Sequence, residues 1–320
     1  MPLEEQALGF PCQGEWLTAI LSPVSGPARR GVLIVVGGPQ YRAGSHRQFT
    51  LLARALAAQG IPAMRFDYRG MGDSSGAARD FEEVDADLCA AIDQFMAACP
   101  GLQEVVLWGL CDAASAAMFY ARQDHRVCGM VLLNPWARST EGLAKATLKH
   151  YYRDRLLQPE LWKKIFSGRF DFGAAARSFA GLLGAAYARR PAAAAKGQDG
   201  GTIDTAGTDG HTTVAAAGMT AVARPSSAQT AGMAPGAPGL HQRMLEGLQG
   251  FSGKVLFIFS GADLTAQEFL DMVKASRQWQ GLLAAPRVTR HTLAPADHTF
   301  SRREWRDQVA GWTSDWVRSW

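Results

Sequence analysis

Two patterns of apolar residues alternate along residues 1–137 of this chain. Gly31-Val-Leu-Ile-Val-Val36 is apolar throughout, as a strand covered on both faces must be. Ile61–Phe66, Glu104–Trp108 and Val127–Leu133 read as further strands, and Glu15–Leu21 as a shorter one between Gly14 and Ser22-Pro23. Between them the spacing turns helical. Phe49, Leu52, Ala53 and Leu56 share one face before Gly60, and Phe81, Val84, Leu88, Ile92 and Phe95 share another. Ala113–Arg122 reads as a third helix. Such alternation predicts an α/β fold, a doubly wound and mostly parallel sheet with helices on both faces.

The alternation then stops. Residues 138–189 are amphipathic and rich in aromatics, including Tyr151, Tyr152 and Trp162, and predict a helical insertion. Residues 190–239 are rich in Ala, Gly and Thr and hold no Leu, Phe, Trp or Tyr, so they are expected to be a low-complexity, disordered insertion without a core of its own. Residues 240–250 lead back to the core. The strand pattern resumes at Lys254–Phe259 and Pro286–Leu293, and a Trp-rich amphipathic helix closes the chain from Arg303 to Trp320. The core is thus expected over 1–137 and 251–320.

Composition narrows the function classes. The net charge of +4, from 33 basic and 29 acidic residues, is too weak a bias for nucleic acid as a partner. No run approaches the roughly 18 apolar residues of a membrane span. The five cysteines form no CxxC pair or zinc spacing, so neither metal nor cofactor is expected, and a reduced, cytoplasmic setting fits best. An acidic N-terminus without an apolar stretch after it is unlike a signal peptide. Oligomeric state leaves no mark in the pattern.

The chemistry concentrates in Val105-Val-Leu-Trp-Gly-Leu-Cys-Asp-Ala-Ala-Ser115. A buried strand ends at Trp108 and a helix begins just after Cys111, which places Gly109-x-Cys111-x-Ala113 on the sharp turn of a G-x-S-x-G nucleophile elbow, with Cys for Ser and Ala for the second Gly. A helix N-terminus at that point favours a thiolate. Cys89 and Cys128 lack this setting and read as packing residues.

An elbow requires an acid and a histidine downstream, in that order. Asp263 follows the strand Lys254–Phe259, and His298 follows the last strand. His298 is the expected base for the Cys111 thiol, and Asp263 the carboxylate that orients it. Asp297 is a rival acid, but adjacency in sequence is poor geometry for orienting the next ring. Of the two expected oxyanion donors, one is the backbone N–H of Asp112. The other is that of Gly38 in Gly37-Gly-Pro-Gln40, where Pro39 has no N–H and Gln40 ranks second. Gln40, Tyr41, Arg42 and Trp136 are expected to contact substrate. Gly72-Asp-Ser-Ser-Gly76 is like the string around a protease serine but follows a strand in another context, so Ser74 and Ser75 read as loop residues.

With Gly37-Gly-Pro-Gln-Tyr-Arg42, Phe66-Asp-Tyr-Arg-Gly-Met-Gly-Asp-Ser74, the Cys111 elbow and the pair Asp263/His298, the chain resembles the α/β-hydrolase superfamily over residues of about 10–137 and 250–320. More narrowly, through Gly37–Phe49 and Leu107–Ser115, it resembles the exosortase A system-associated hydrolases of type 1. The resemblance implies an α/β-hydrolase fold with residues 138–189 as a helical cap. It also implies a bacterial setting of exopolysaccharide production and protein sorting. Val36 stands where many relatives carry histidine. A thiolate leaves its tetrahedral adduct more readily than an alkoxide, so esters or thioesters, free or on an acyl carrier, are the expected substrates rather than amides. Acyl transfer to a glycan and a non-catalytic binding or assembly module are the competing readings.

Overall fold

The computed structural model describes residues 4–38, 40–137 and 239–320, which lie in one compact unit. The cap expected over 138–189 and, apart from Gly239, the insertion expected over 190–239 lie outside the described residues.

The strands are β1 (Gln6–Cys12), β2 (Glu15–Ser22), β3 (Arg30–Val35), β4 (Ala63–Asp67), β5 (Glu104–Leu110), β6 (Val127–Leu133), β7 (Lys254–Ser260) and β8 (Val288–Leu293). They form one sheet in the order β1-β2-β4-β3-β5-β6-β7-β8. β2 runs antiparallel to β1 and β4, and every other pairing is parallel. The helices are α1 (Gln48–Ala58), α2 (Asp85–Ala98), α3 (Asp112–Tyr120), α4 (Leu240–Gly250), α5 (Leu264–Ala275), α6 (Arg277–Leu283) and α7 (Arg303–Arg318).

The continuous apolar runs are explained by two cores, one on each face of the sheet. Val105 and Leu107 of β5 join Phe95, Met130 and Phe257 on one face. Val106 and Trp108 join Phe49, Leu56, Val131 and Trp316 on the other. Both faces being covered, a parallel strand has no side left for polar alternation. Each fully buried Leu, Ile, Val or Phe contributes about 1.5–3 kcal/mol by its removal from water.

Four elements escape the sequence pattern. β1 is an edge strand with exposed Gln6 and Ala7 and with Gly9 and Pro11 inside it, both poor strand residues that an edge tolerates. Residues 240–250, expected only as a return to the core, form α4, which buries Met244, Leu245 and Leu248 beside α3. α5 and α6 fill the crossover between β7 and β8. Cys89, expected to pack, is exposed, whereas Cys128 is partly buried with its thiol directed to the Val105 carbonyl at 3.5 Å.

The parallel strands end on the same side of the sheet, so the loops after β3, β5, β6, β7 and β8 gather there. In open α/β sheets this carboxyl edge is where ligands bind.

Candidate active site

β5 ends at Leu110 and α3 begins at Asp112, which leaves Cys111 alone to turn the chain, at φ 64° and ψ −124°. A residue with a Cβ adopts that conformation only where its surroundings impose it. Here they do. The Cys111 N–H donates to the Leu133 carbonyl at 2.9 Å, and the Cys111 carbonyl accepts from the Trp136 N–H at 3.1 Å. Gly109 lets strand and helix meet, because a Cβ there would lie 2.6 Å from the backbone of Ala113. Ala113 itself is buried and fits, so the second small position of the elbow accepts a methyl group.

Asp263 stands at the N-cap of α5. Its carboxylate accepts the N–H groups of Thr265 at 3.3 Å and Ala266 at 3.0 Å, and its Oδ2 lies 2.9 Å from Nδ1 of His298. The helix cap fixes the carboxylate, and the carboxylate fixes the ring. With Nδ1 engaged, Nε2 is the imidazole nitrogen left for proton transfer. Asp297 faces elsewhere and accepts from the N–H of Ser301 at 3.0 Å and from its hydroxyl.

One residue that the pattern did not single out links these parts. Asn134, fully buried and at φ 42°, follows β6. Its amide nitrogen donates to the Ser260 hydroxyl and, at 3.2 Å, to the His298 carbonyl, while its oxygen accepts the Ser260 N–H at 2.9 Å. Residues Leu133–Trp136 therefore tie the backbone of Cys111 on one side and the His298 loop on the other. A lone Asn between an apolar strand and Pro135 is the signal that could have marked it.

The oxyanion loop differs from expectation in one respect. The Gly38 N–H, at φ +59°, donates at 2.7 Å to Oδ2 of Asp112, so the side chain of that residue occupies the place expected for substrate oxygen. Oδ1 of Asp112 accepts the Ala113 N–H at 2.9 Å. Burial raises the Asp112 carboxyl to about 6, against the lowering effect of these backbone donors. Gln40, the second choice, donates its N–H to the Gly38 carbonyl at 2.8 Å and so serves the turn.

Of the other expected contacts, Tyr41 is exposed and donates its hydroxyl to Asp73 at 3.2 Å. Arg42 is buried. Its guanidinium pairs with Asp67 and, at 2.7 Å, with Asp73, and its N–H donates to Asp67 at 2.7 Å. Those bonds make Arg42 an anchor of the Gly37–Gln40 loop to the end of β4. Asp67 also accepts the Asp73 N–H at 3.2 Å. Burial lifts its pKa above the ordinary carboxylate value even though Arg42 draws it down. Ser74 donates to the Asp67 carbonyl, and Ser75 pairs with Glu15. Trp136 is half-buried beside the elbow, and its carbonyl accepts the Ser115 hydroxyl at 2.8 Å. Among the described residues no helix is long and apolar enough to cross a membrane.

The model of a family described as serine aminopeptidase, S33, matches residues 27–165, less than half of the chain. Among solved structures, an esterase of Pyrococcus furiosus aligns with a TM-score of 0.58 at 10% identity, covering 99% of this chain and 92% of the esterase. DcsB, solved with a substrate analogue, aligns with a TM-score of 0.55 at 17% identity, covering 98% and 99%. A serine hydrolase without lid from Xanthomonas campestris aligns with a TM-score of 0.50 at 16% identity, covering 100% and 98%. No curated protein matches by sequence. The sheet order, the turn at Cys111 and these similarities together show an α/β-hydrolase fold.

Proposed function

We propose that the protein hydrolyses carboxylic esters or thioesters through an acyl-thioenzyme on Cys111. The observation that carries this reading is the junction at Leu133–Trp136, where one short segment holds both the strained nucleophile turn and, through Asn134, the loop of the Asp263-bound His298.

In the proposed cycle His298 accepts the Cys111 proton at Nε2 as Sγ attacks the carbonyl carbon. The carbonyl oxygen becomes an oxyanion, received by the backbone N–H groups of Asp112 and Gly38. The adduct collapses, the bond to the leaving alcohol or thiol breaks, and His298 returns its proton to that group. Water, deprotonated by His298, then releases the acid and regenerates the thiol. Asp263 keeps the ring in one tautomer and balances its charge. Tyr41 and Trp136 flank the site and are proposed to contact substrate. The resemblance to exosortase-associated hydrolases favours an acyl substrate, small or carrier-bound, from bacterial exopolysaccharide production or protein sorting.

Incubation with p-nitrophenyl and acyl-CoA esters should give a burst, and intact-mass spectrometry should find one acyl group on Cys111. Cys111→Ala should lose the adduct and at least about a thousandfold in turnover. Unchanged turnover in that variant would sink the mechanism. Release of the acyl group only to an added glycan, never to water, would assign the chain to acyl transfer instead.

A further inference from the structure

Resting on the hydrolase reading, we propose that the Asp112 side chain is a plug of the oxyanion pocket: as a carboxylate it holds the Gly38 N–H that the tetrahedral intermediate needs, and protonation releases it. One of its oxygens already takes a donor that an oxyanion would take, and the other is fixed beside it. Oδ2 takes the Gly38 N–H at 2.7 Å from the loop after β3, and Oδ1 takes the Ala113 N–H at 2.9 Å from the first turn of α3. The pocket wall is cut to this side chain, since a Cβ on Gly37 would lie 2.1 Å from Oδ1.

A carboxylate and an oxyanion cannot share the Gly38 donor. Two like charges a few ångströms apart in a partly dry site repel strongly. The groups around Asp112 do not neutralise it. Asp80, ahead of α2, raises its pKa, and Tyr68, after β4, is a neutral phenol pushed further up in part by Asp112 itself. Cys111 adjoins it in sequence, and the other ionisable groups of the site are Asp263 and His298. Among the described residues backbone donors hold the charge, and burial lifts the carboxyl to about 6. A proton from solvent on Oδ2 removes the charge-assisted half of the Gly38 bond, and the weaker neutral contact lets the side chain turn out.

The plug predicts its own pH dependence. With a carboxyl near 6, only about one molecule in thirty is protonated at about pH 7.5, and acylation is slowed by that fraction.

The test reads the Gly38 amide by ¹⁵N NMR and single-turnover acylation by a p-nitrophenyl ester, both over about pH 4.5–8. In the unaltered chain the Gly38 resonance should move with a midpoint near 6, and the ratio of the Asp112→Ala acylation rate to the parental rate should grow as pH rises through the same range. Asp112→Ala should abolish the Gly38 transition and acylate on the order of ten- to thirtyfold faster at about pH 7.5. Asp112→Asn keeps an acceptor for Gly38 but should show no titration. A Gly38 amide indifferent to pH in the unaltered chain would overturn the plug, as would an Asp112→Ala protein with the parental rate and profile. Should no form acylate at any pH, the hydrolase reading falls, while the Gly38 titration still decides whether Asp112 lets go of the donor.

Discussion

The turns after β5 and β7 make an instructive pair. Each joins a buried parallel strand to a helix at the carboxyl edge of the sheet, and each places an aspartate at the helix start, where its oxygens accept backbone N–H groups. Their neighbours separate them. Asp263 meets Nδ1 of His298 at 2.9 Å, so its charge has a permanent use. Asp112 accepts N–H groups of its own helix and of Gly38, and burial pushes its carboxyl to about 6. The same residue type in a similar local setting partners a histidine in one turn and backbone N–H groups in the other. Backbone N–H groups satisfy a carboxylate's lone pairs but do not supply a full compensating charge.

The largest expected effect breaks the pair at Asp263. Asp263→Asn leaves the cap in place but misdirects the His298 tautomer, and turnover of an activated ester should fall about a thousand- to ten-thousandfold. Asp112→Asn, assayed alongside at about pH 7.5, should not fall with it. An equal loss in both would erase the distinction between the two turns.

Next is the fit of the oxyanion loop around Asp112. Gly37→Ala brings a methyl group to 2.1 Å from Oδ1 and 2.8 Å from the Leu110 carbonyl, and should destabilise the fold by about 1–3 kcal/mol in urea titration. Adding Asp112→Ala relieves only the first clash, so the double variant should recover part of that loss. The cycle should show coupling on the order of 1 kcal/mol, and simple additivity would mean the carboxylate does not shape the loop.

The smallest effect is the cost of burying the Asp112 charge. Its carboxyl rises from 3.8 to about 6 on folding, so between these values the folded chain holds more protons than the unfolded one. Stability from this group is therefore full below about pH 4 and is lost as pH rises through 6. With allowance for its partial exposure, the loss is on the order of 1–2 kcal/mol. Asp112→Asn should flatten that part of the curve in thermal melts, and a slope identical to the parent's would count against a raised carboxyl.

Much of this was already present in the order of residues. Runs such as Gly31–Val36 and Val127–Leu133 announce strands covered on both faces, because burial on two sides leaves no polar alternation. The spacing Gly109-x-Cys111-x-Ala113, followed by Asp263 and His298 after later strands, names the chemical groups, because strand-end turns recur locally in sequence. β1 stayed hidden because Gly9 and Pro11 dilute its signal, and Asn134 because its partners, Ser260 and His298, lie 126 and 164 residues away. Arg42 looked like a substrate contact until the fold brought Asp67 and Asp73 to it. By itself, then, the sequence determined which backbone turns form and which groups are available. Only the tertiary structure decided what each group faces, and so made a plug of Asp112, because a side chain's charge, donors and room to move depend on neighbours distant in the chain.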